Sequence, residues 1–321
     1  MAFLIGTDEA GYGPNLGPLL ISATMWEVDD FDFEDDLYDR LSPTVTSKPV
    51  STRQSESIAF CDSKQLYSSG ATLAGLERGV LSLLKLLGRD IRDWRECWSF
   101  LSPESAAYLD DLPWYSEFNT PLPRDCDASV IAELTKRLQT CFEQAGLKLH
   151  QIRSAAVFPE PFNERSDELG SKGALLSLQT MQLVVDMLER TEGQPTFILC
   201  DKHGGRSKYS QIIQELIPDV LIEICGESRQ QSVYRWGKGE SRVEIRFVAK
   251  GESFMPSAVA SMASKYLREL AMMAFNDYWG HEVEGVKPTA GYPLDAKRFK
   301  KDIAARQCEL EIDDRILWRS R

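Results

Sequence analysis

Residues 2–27 read Ala2-Phe3-Leu4-Ile5-Gly6-Thr7-Asp8-Glu9-Ala10-Gly11-Tyr12-Gly13-Pro14-Asn15-Leu16-Gly17-Pro18-Leu19-Leu20-Ile21-Ser22-Ala23-Thr24-Met25-Trp26-Glu27. Two apolar-rich segments, 2–8 and 18–27, flank a turn made of glycine, proline and asparagine, which is the pattern of strand, turn, strand. A hairpin-like opening is therefore expected, with Asp8-Glu9 at the end of its first strand. Adjacent residues of a regular strand point to opposite faces. Both acids can serve one site only if the chain leaves the strand there, which the glycines permit. Taken alone, such a dipeptide reads as a solvated acidic turn, and other parts of the chain must decide.

Outward from this opening, Ala71 to Leu87 repeats apolar residues at helical spacing (Leu73, Leu76, Val80, Leu83, Leu84, Leu87) and stops at Gly88, a helix with a glycine stop. From Arg89 to Asp127 the pattern turns irregular, with three Trp and several Pro and Asp, and is read as an insertion on the core. Helices are expected over 129–145, 174–188 and 253–275, the last with Pro256 tolerated in its first turn. Strands are expected over 147–158, 220–224, 232–236 and 242–248, the last two joined as a hairpin around Gly237-Lys238-Gly239-Glu240. Thr196-Phe197-Ile198-Leu199-Cys200 is a short apolar run ending at Asp201, the profile of a central strand covered on both faces. Alternating strands and helices with antiparallel pairs at the start predict an α/β fold around a mixed sheet. The expected division is one large domain over 1–285, carrying the insertion at about 89–127, and a C-terminal helical extension over 286–321.

With 321 residues, 43% of them apolar and 10% aromatic, the chain can fill a core of its own. No apolar run approaches the roughly 20 residues of a membrane helix, and residues 1–7 lack the features of a secretory signal. A cytoplasmic monomer without membrane contact is expected. Seven cysteines, scattered and never spaced as C-x-x-C, suggest neither a disulfide framework nor a structural zinc site. The net charge of −12 is opposite to that of most phosphate-binding proteins. Part of it is local, since Asp29, Asp30, Asp32, Glu34, Asp35, Asp36 and Asp39 fall within eleven positions, whereas Lys287 to Arg321 carries nine Lys or Arg against six Asp or Glu.

A dinucleotide-binding reading of Gly11, Gly13 and Gly17 fails on detail. Pro14 and Pro18 prevent the turn from opening a long helix, and acids precede it where phosphate would need amide donors. Gly237-Lys238-Gly239-Glu240-Ser241 lacks the spacing of a phosphate-binding loop.

Four places, in order, resemble the ribonuclease HII (type 2 ribonuclease H) family. Gly6-Thr7-Asp8-Glu9-Ala10-Gly11-Tyr12-Gly13-Pro14-Asn15-Leu16-Gly17-Pro18 is similar to that family's G-x-D-E-A-G-R-G-P-x-x-G-P. Asp62-Ser63-Lys64-Gln65-Leu66 resembles its D-S-K-K-L, and Ile198-Leu199-Cys200-Asp201 the strand that delivers its third acid. Ala260 to Glu269 resembles the helix A-S-I-x-A-K-x-x-R-D that delivers the fourth, and Gly291-Tyr292-Pro293 a later Gly-Tyr motif. Tyr12 stands where the family has Arg, Glu269 where it has Asp, Gln65 where it has Lys, and Leu294 where a Thr often follows.

The resemblance implies a ribonuclease H-like fold and a metal-dependent endonuclease that hydrolyses the RNA strand of RNA·DNA hybrids, leaving 5′-phosphate and 3′-hydroxyl ends. Asp8, Glu9, Asp201 and Glu269 would be the catalytic and metal-binding acids. The chemistry gives an independent reason for acids, because two divalent ions about 3.5 to 4 Å apart can activate water and neutralise a leaving oxygen, and Mg²⁺ or Mn²⁺ takes carboxylate ligands. Gly11, Tyr12, Gly13, Lys64, Lys202, Arg206 and Tyr292 are the candidate substrate contacts. His203 and Lys208, in the same loop as Lys202, are further candidates for holding phosphates. Two other readings stay open: a nuclease of this fold with a different nucleic-acid substrate, and a non-catalytic relative that binds or scaffolds.

Overall fold

In the computed structural model of the chain, which describes residues 1–31, 35–52, 55–68, 72–249 and 251–320, seven strands form one mixed sheet. Asp32, Glu34, Ala71 and Arg321, which the readings above include, lie outside the described residues. The strands are β1 (Ala2–Ala10), β2 (Leu19–Val28), β3 (Leu147–Val157), β4 (Thr196–Asp201), β5 (Glu223–Glu227), β6 (Gln231–Trp236) and β7 (Val243–Val248). Their order across the sheet is β3-β2-β1-β4-β7-β6-β5. β1, β2 and β3 form an antiparallel meander, and β4 and then β7 add in parallel on the other side of β1. This is an α/β arrangement, a mixed sheet flanked by helices.

The alternation of β1 assigns its two faces. Leu4 joins the larger core beneath the long helix Met255–Glu282, while Phe3 and Ile5 join a second core with Met181, Val184 and Met187 of the helix Lys172–Leu188. The long helix lies very close to the sheet, because a Cβ on Gly6 would meet the backbone N of Ser257 at 2.2 Å and the carbonyl carbon of Pro256 at 2.3 Å. Hydroxyl groups stitch the contact. Thr24 donates to the Pro256 carbonyl at 2.8 Å, Ser257 to the Leu199 carbonyl at 3.1 Å and Ser264 to the Asp8 carbonyl at 3.1 Å.

The expected elements are mostly present, with shifted ends. The first helix runs Ala74–Leu86, the next Ala128–Ala145, and the long helix continues to Glu282. β5 begins at Glu223 rather than at 220, and the helices Pro159–Glu168 and Ser210–Leu216 are additional. A helix Pro293–Glu309 buries Ala296, Phe299 and Ile303 in the larger core.

Residues 89–127 fold as short helical segments whose ends meet. Trp94 N donates to the Thr120 carbonyl at 3.0 Å and Leu122 N to the Arg92 carbonyl at 2.8 Å. Trp94, Trp98, Trp114 and Tyr115 are buried in the larger core. The neighbouring helix holds the end of this segment through Glu77, which accepts from the backbone N of Arg124 at 2.6 Å, the backbone N of Asp125 at 2.8 Å and the Tyr266 hydroxyl at 3.2 Å. Among the described residues no helix is long and apolar enough to cross a membrane.

Candidate active site

β1 and β4 are neighbouring parallel strands in the middle of the sheet, paired up to Thr7 with Cys200. Asp8 and Asp201 each follow directly, so the two acids stand side by side, Asp201 at the end of β4 and Asp8 two residues before the end of β1. By the alternation of the strands both belong to the face covered by the long helix. Each is half-buried. The backbone N of Gly251 donates to the Asp201 carboxylate at 3.4 Å.

Glu9 is placed differently from what the glycine turn permitted. β1 does not end at the acids: Asp8 pairs with Ser22, Glu9 with Ile21 and Ala10 with Leu20. A strand that persists to Ala10 must send Glu9 to the opposite face. There its charge acts on Tyr12, whose phenol pKa is pushed up by burial and then by Glu9. Tyr12 lies under the Lys172 ammonium, 4.8 Å from its ring centre, and a Cβ on Gly204 would stand 3.0 Å from its hydroxyl.

Glu269 lies on the long helix four residues after Lys265 and forms an ion pair with it. Beside it, the Tyr67 phenol is held well above its ordinary pKa by burial, by the Glu269 charge and by a hydrogen bond to Glu269. Glu269 lines a cleft of about 1310 Å³ with Tyr67, Trp114, Arg124 and Met273, a cleft that none of the other three acids lines. Among the described residues no three of His, Cys, Asp and Glu are gathered as a metal cage. The structure thus brings Asp8 and Asp201 together and does not gather all four acids.

The glycine turn and the later Gly-Tyr motif do meet. Asn15 N donates to the Gly291 carbonyl at 2.7 Å, and Tyr292, 57% exposed, lies beside Gly13, whose added Cβ would be 3.8 Å from its ring. Lys64 is exposed on the short turn Ser63–Leu66, which is capped by Asp62 and docked on the long helix through Ser63 and Ser261, their hydroxyls 3.0 Å apart.

The loop after Asp201 is more internal than an exposed polar loop. The Lys202 ammonium donates to the carbonyls of Ser228 and Arg206 and to the Ser232 hydroxyl at 2.8, 3.2 and 3.0 Å, so its three N–H bonds brace the loop. Arg206 donates Nε to the Lys208 carbonyl at 2.9 Å. His203 is drawn inside, its Nδ1 3.0 Å from the Ser177 hydroxyl, and burial holds its pKa down to about 3. As a buried neutral ring it does not face a phosphate. In the C-terminal segment Arg298, Lys300, Arg306 and Arg315 are paired with acids, and Lys287, Lys297 and Lys301 are exposed.

Reasoning from the sequence passed over Tyr67 and Arg319. Tyr67 follows the Asp62-to-Leu66 motif directly, so proximity to that motif was an available signal; nothing local marks Arg319.

No family model and none of the curated proteins matches the sequence. Solved structures similar to the chain include ribonuclease HII of Archaeoglobus fulgidus in its complex with PCNA, at 13% identity over 99% of this chain and 94% of that one, with a TM-score of 0.43. Ribonuclease H2 of Pyrococcus horikoshii OT3 is similar at 17% identity over 98% and 92%, with a TM-score of 0.46. Bst-RNase HIII in complex with Mn²⁺ is similar at 12% identity over 99% of this chain and 66% of that one, with a TM-score of 0.42.

Proposed function

We propose that the chain is a metal-dependent endonuclease that hydrolyses the RNA strand of RNA·DNA hybrids. The observation that carries this reading is the placement of Asp8 and Asp201 side by side toward the carboxyl ends of β1 and β4, on the face covered by the long helix. Mg²⁺ ordinarily takes one or two carboxylates and completes its shell with water and substrate phosphate. Asp8 and Asp201 fit that demand, and Glu9, on the other face of β1, and Glu269, on the long helix, are the further acids of the proposed set. Divalent ions bound there would supply an activated water and neutralise charge at the phosphate.

The chain's own residues do the rest. Asp8 and Asp201 present hard oxygen ligands on a rigid sheet, where small errors of position are costly. Gly13 and Tyr292, which lie together, would meet the sugar, with Tyr12 the adjacent residue of the turn, and Lys64 is exposed on the turn docked beside the long helix. The products would carry 5′-phosphate and 3′-hydroxyl ends.

One observation favours a related nuclease with another nucleic-acid substrate: the position taken by Arg in the resembling motif is a Tyr packed under Lys172. The test is cleavage of a labelled RNA·DNA hybrid and of an all-DNA duplex in Mg²⁺ and in Mn²⁺, with Asp8→Asn as control. Hybrid cleavage abolished by the substitution supports the proposal. Cleavage of the DNA duplex alone selects the second reading, and no cleavage of either removes both.

A further inference from the structure

Two guanidinium groups lie beneath the glycine turn. Arg268, 4% exposed, donates to the carbonyls of Pro18 at 2.6 Å, Leu16 at 3.2 Å and Ala290 at 3.3 Å. Arg319, 0% exposed and only two positions before residue 321, donates Nη2 to the carbonyl of Gly11 at 2.7 Å and to that of Pro14. Its guanidinium lies over Phe162, 4.8 Å from the ring centre. Among the described residues its Nε and Nη1 meet no acceptor, and neither arginine forms an ion pair with a carboxylate. Burial lowers the pKa of both, which is the expected sign of charge held away from water.

The segment that carries Arg319 is gripped as a bound peptide would be. Asn15 Nδ2 donates to the Arg319 carbonyl at 2.7 Å and Arg319 N donates to the Asn15 carbonyl at 2.8 Å. Asn163 Nδ2 donates to the Trp318 carbonyl at 2.7 Å, and Ser320 N donates to Asn163 Oδ1 at 2.8 Å. Two asparagines, one in the turn and one on the helix Pro159–Glu168, thus each hold the segment in both directions.

A charge buried without a carboxylate partner is a poor source of stability, since an apolar side chain of similar volume avoids the desolvation. What the guanidinium provides is geometry, because one nitrogen bridges the carbonyls on either side of Tyr12 and Gly13. We infer that Arg319 is a positioning residue: through Gly11 and Pro14 it sets the turn that meets the sugar of the substrate, so residues 317–320 govern substrate binding from 308 positions away. The inference rests on the proposed function for its catalytic readout and on geometry alone for its structural one.

The test compares the chain with its Arg319→Ala variant, with and without ethylguanidinium, and with ethylammonium as control. Amide exchange over residues 9–18 and steady-state cleavage of the hybrid are both measured. The expected result for Arg319→Ala is faster exchange over 11–18 and a KM raised about tenfold, with kcat within about twofold, both restored by ethylguanidinium and not by ethylammonium. Asn163→Ala, which frees the segment without emptying the buried slot, should shift both readouts the same way by less, and it decides the matter if Arg319→Ala does not fold. Unchanged exchange and KM, or a loss carried by kcat alone, overturns the assignment. If the parent chain cuts no hybrid, the proposed function falls, and the exchange measurement still decides whether Arg319 positions the turn.

Discussion

The sheet and the long helix lie very close together at Gly6, and this predicts opposite signs for one kind of substitution at two places. An alanine Cβ at Gly6 would stand 2.2 Å from Ser257 N, 2.3 Å from the Pro256 carbonyl carbon and 2.6 Å from the Pro256 Cβ. Two of these atoms are backbone, so no rotamer change relieves the contact and the first turn of the helix must move by about an ångström. Overpacking of a tight core costs about 1 to 3 kcal/mol, and a backbone clash belongs at the upper end, about 3 kcal/mol. At about 2 °C per kcal/mol for a chain of this size, Gly6→Ala should melt about 6 °C lower and lose a corresponding part of its urea midpoint. Gly280, in the same helix, is exposed and would place a Cβ in open space. Gly280→Ala should therefore stabilise by up to about 1 kcal/mol through helix propensity. Equilibrium urea unfolding followed by tryptophan fluorescence reads both. A Gly6→Ala protein as stable as the parent, or a Gly280→Ala protein destabilised as much as Gly6→Ala, would refute the packing argument.

Other outcomes follow from the same geometry. Asp201→Asn should abolish the stabilisation of the folded chain by Mn²⁺ seen as a rise in melting temperature, because binding to the folded state alone stabilises by mass action; an undiminished rise would place the ion elsewhere. Trp98→Ala, inside the larger core, should cost about 3 to 5 kcal/mol and lower a single unfolding transition, whereas a separate early transition would mean that residues 89–127 unfold by themselves. Burial raises the pKa of Glu77 above its ordinary 4.5, so the folded chain holds this proton more tightly than the unfolded chain. Its contribution is therefore fully present below 4.5 and is lost as the pH rises through the raised value. Glu77→Gln should flatten that part of the stability profile, and a parallel profile in the variant would show that another group is responsible.

The parts of the fold legible in the sequence are those written locally. The opening hairpin follows from a glycine and proline turn between apolar runs, and Ala74–Leu86 from a buried stripe that stops at Gly88, where φ is 77°. β5 was misplaced because apolar content stood in for burial: Leu221 is 92% and Ile224 54% exposed at the edge of the sheet. The helix Pro159–Glu168 was hidden by two prolines in its first turn and by having few buried residues. In the site, Asp8 and Asp201 were legible because each ends an apolar run, the first strand of the opening hairpin and the short run of a covered central strand. The face of Glu9 was not, since it depended on whether pairing with β2 stopped at Asp8 or continued to Ala10, which the glycines left open. Arg319 was illegible because its partners, Gly11 and Pro14, lie at the other end of the chain.

That last pairing orders events in time. During synthesis at about 5 to 20 residues per second, roughly 15 to 60 s separate the emergence of Gly11 from that of Arg319. Through that interval β1, β2 and β3 can pair, while the carbonyls of Gly11 and Pro14 still lack the guanidinium that will bind them. The growing chain therefore carries its sheet well before it carries a finished glycine turn, and a chain that lacks Arg319 would keep the former without the latter.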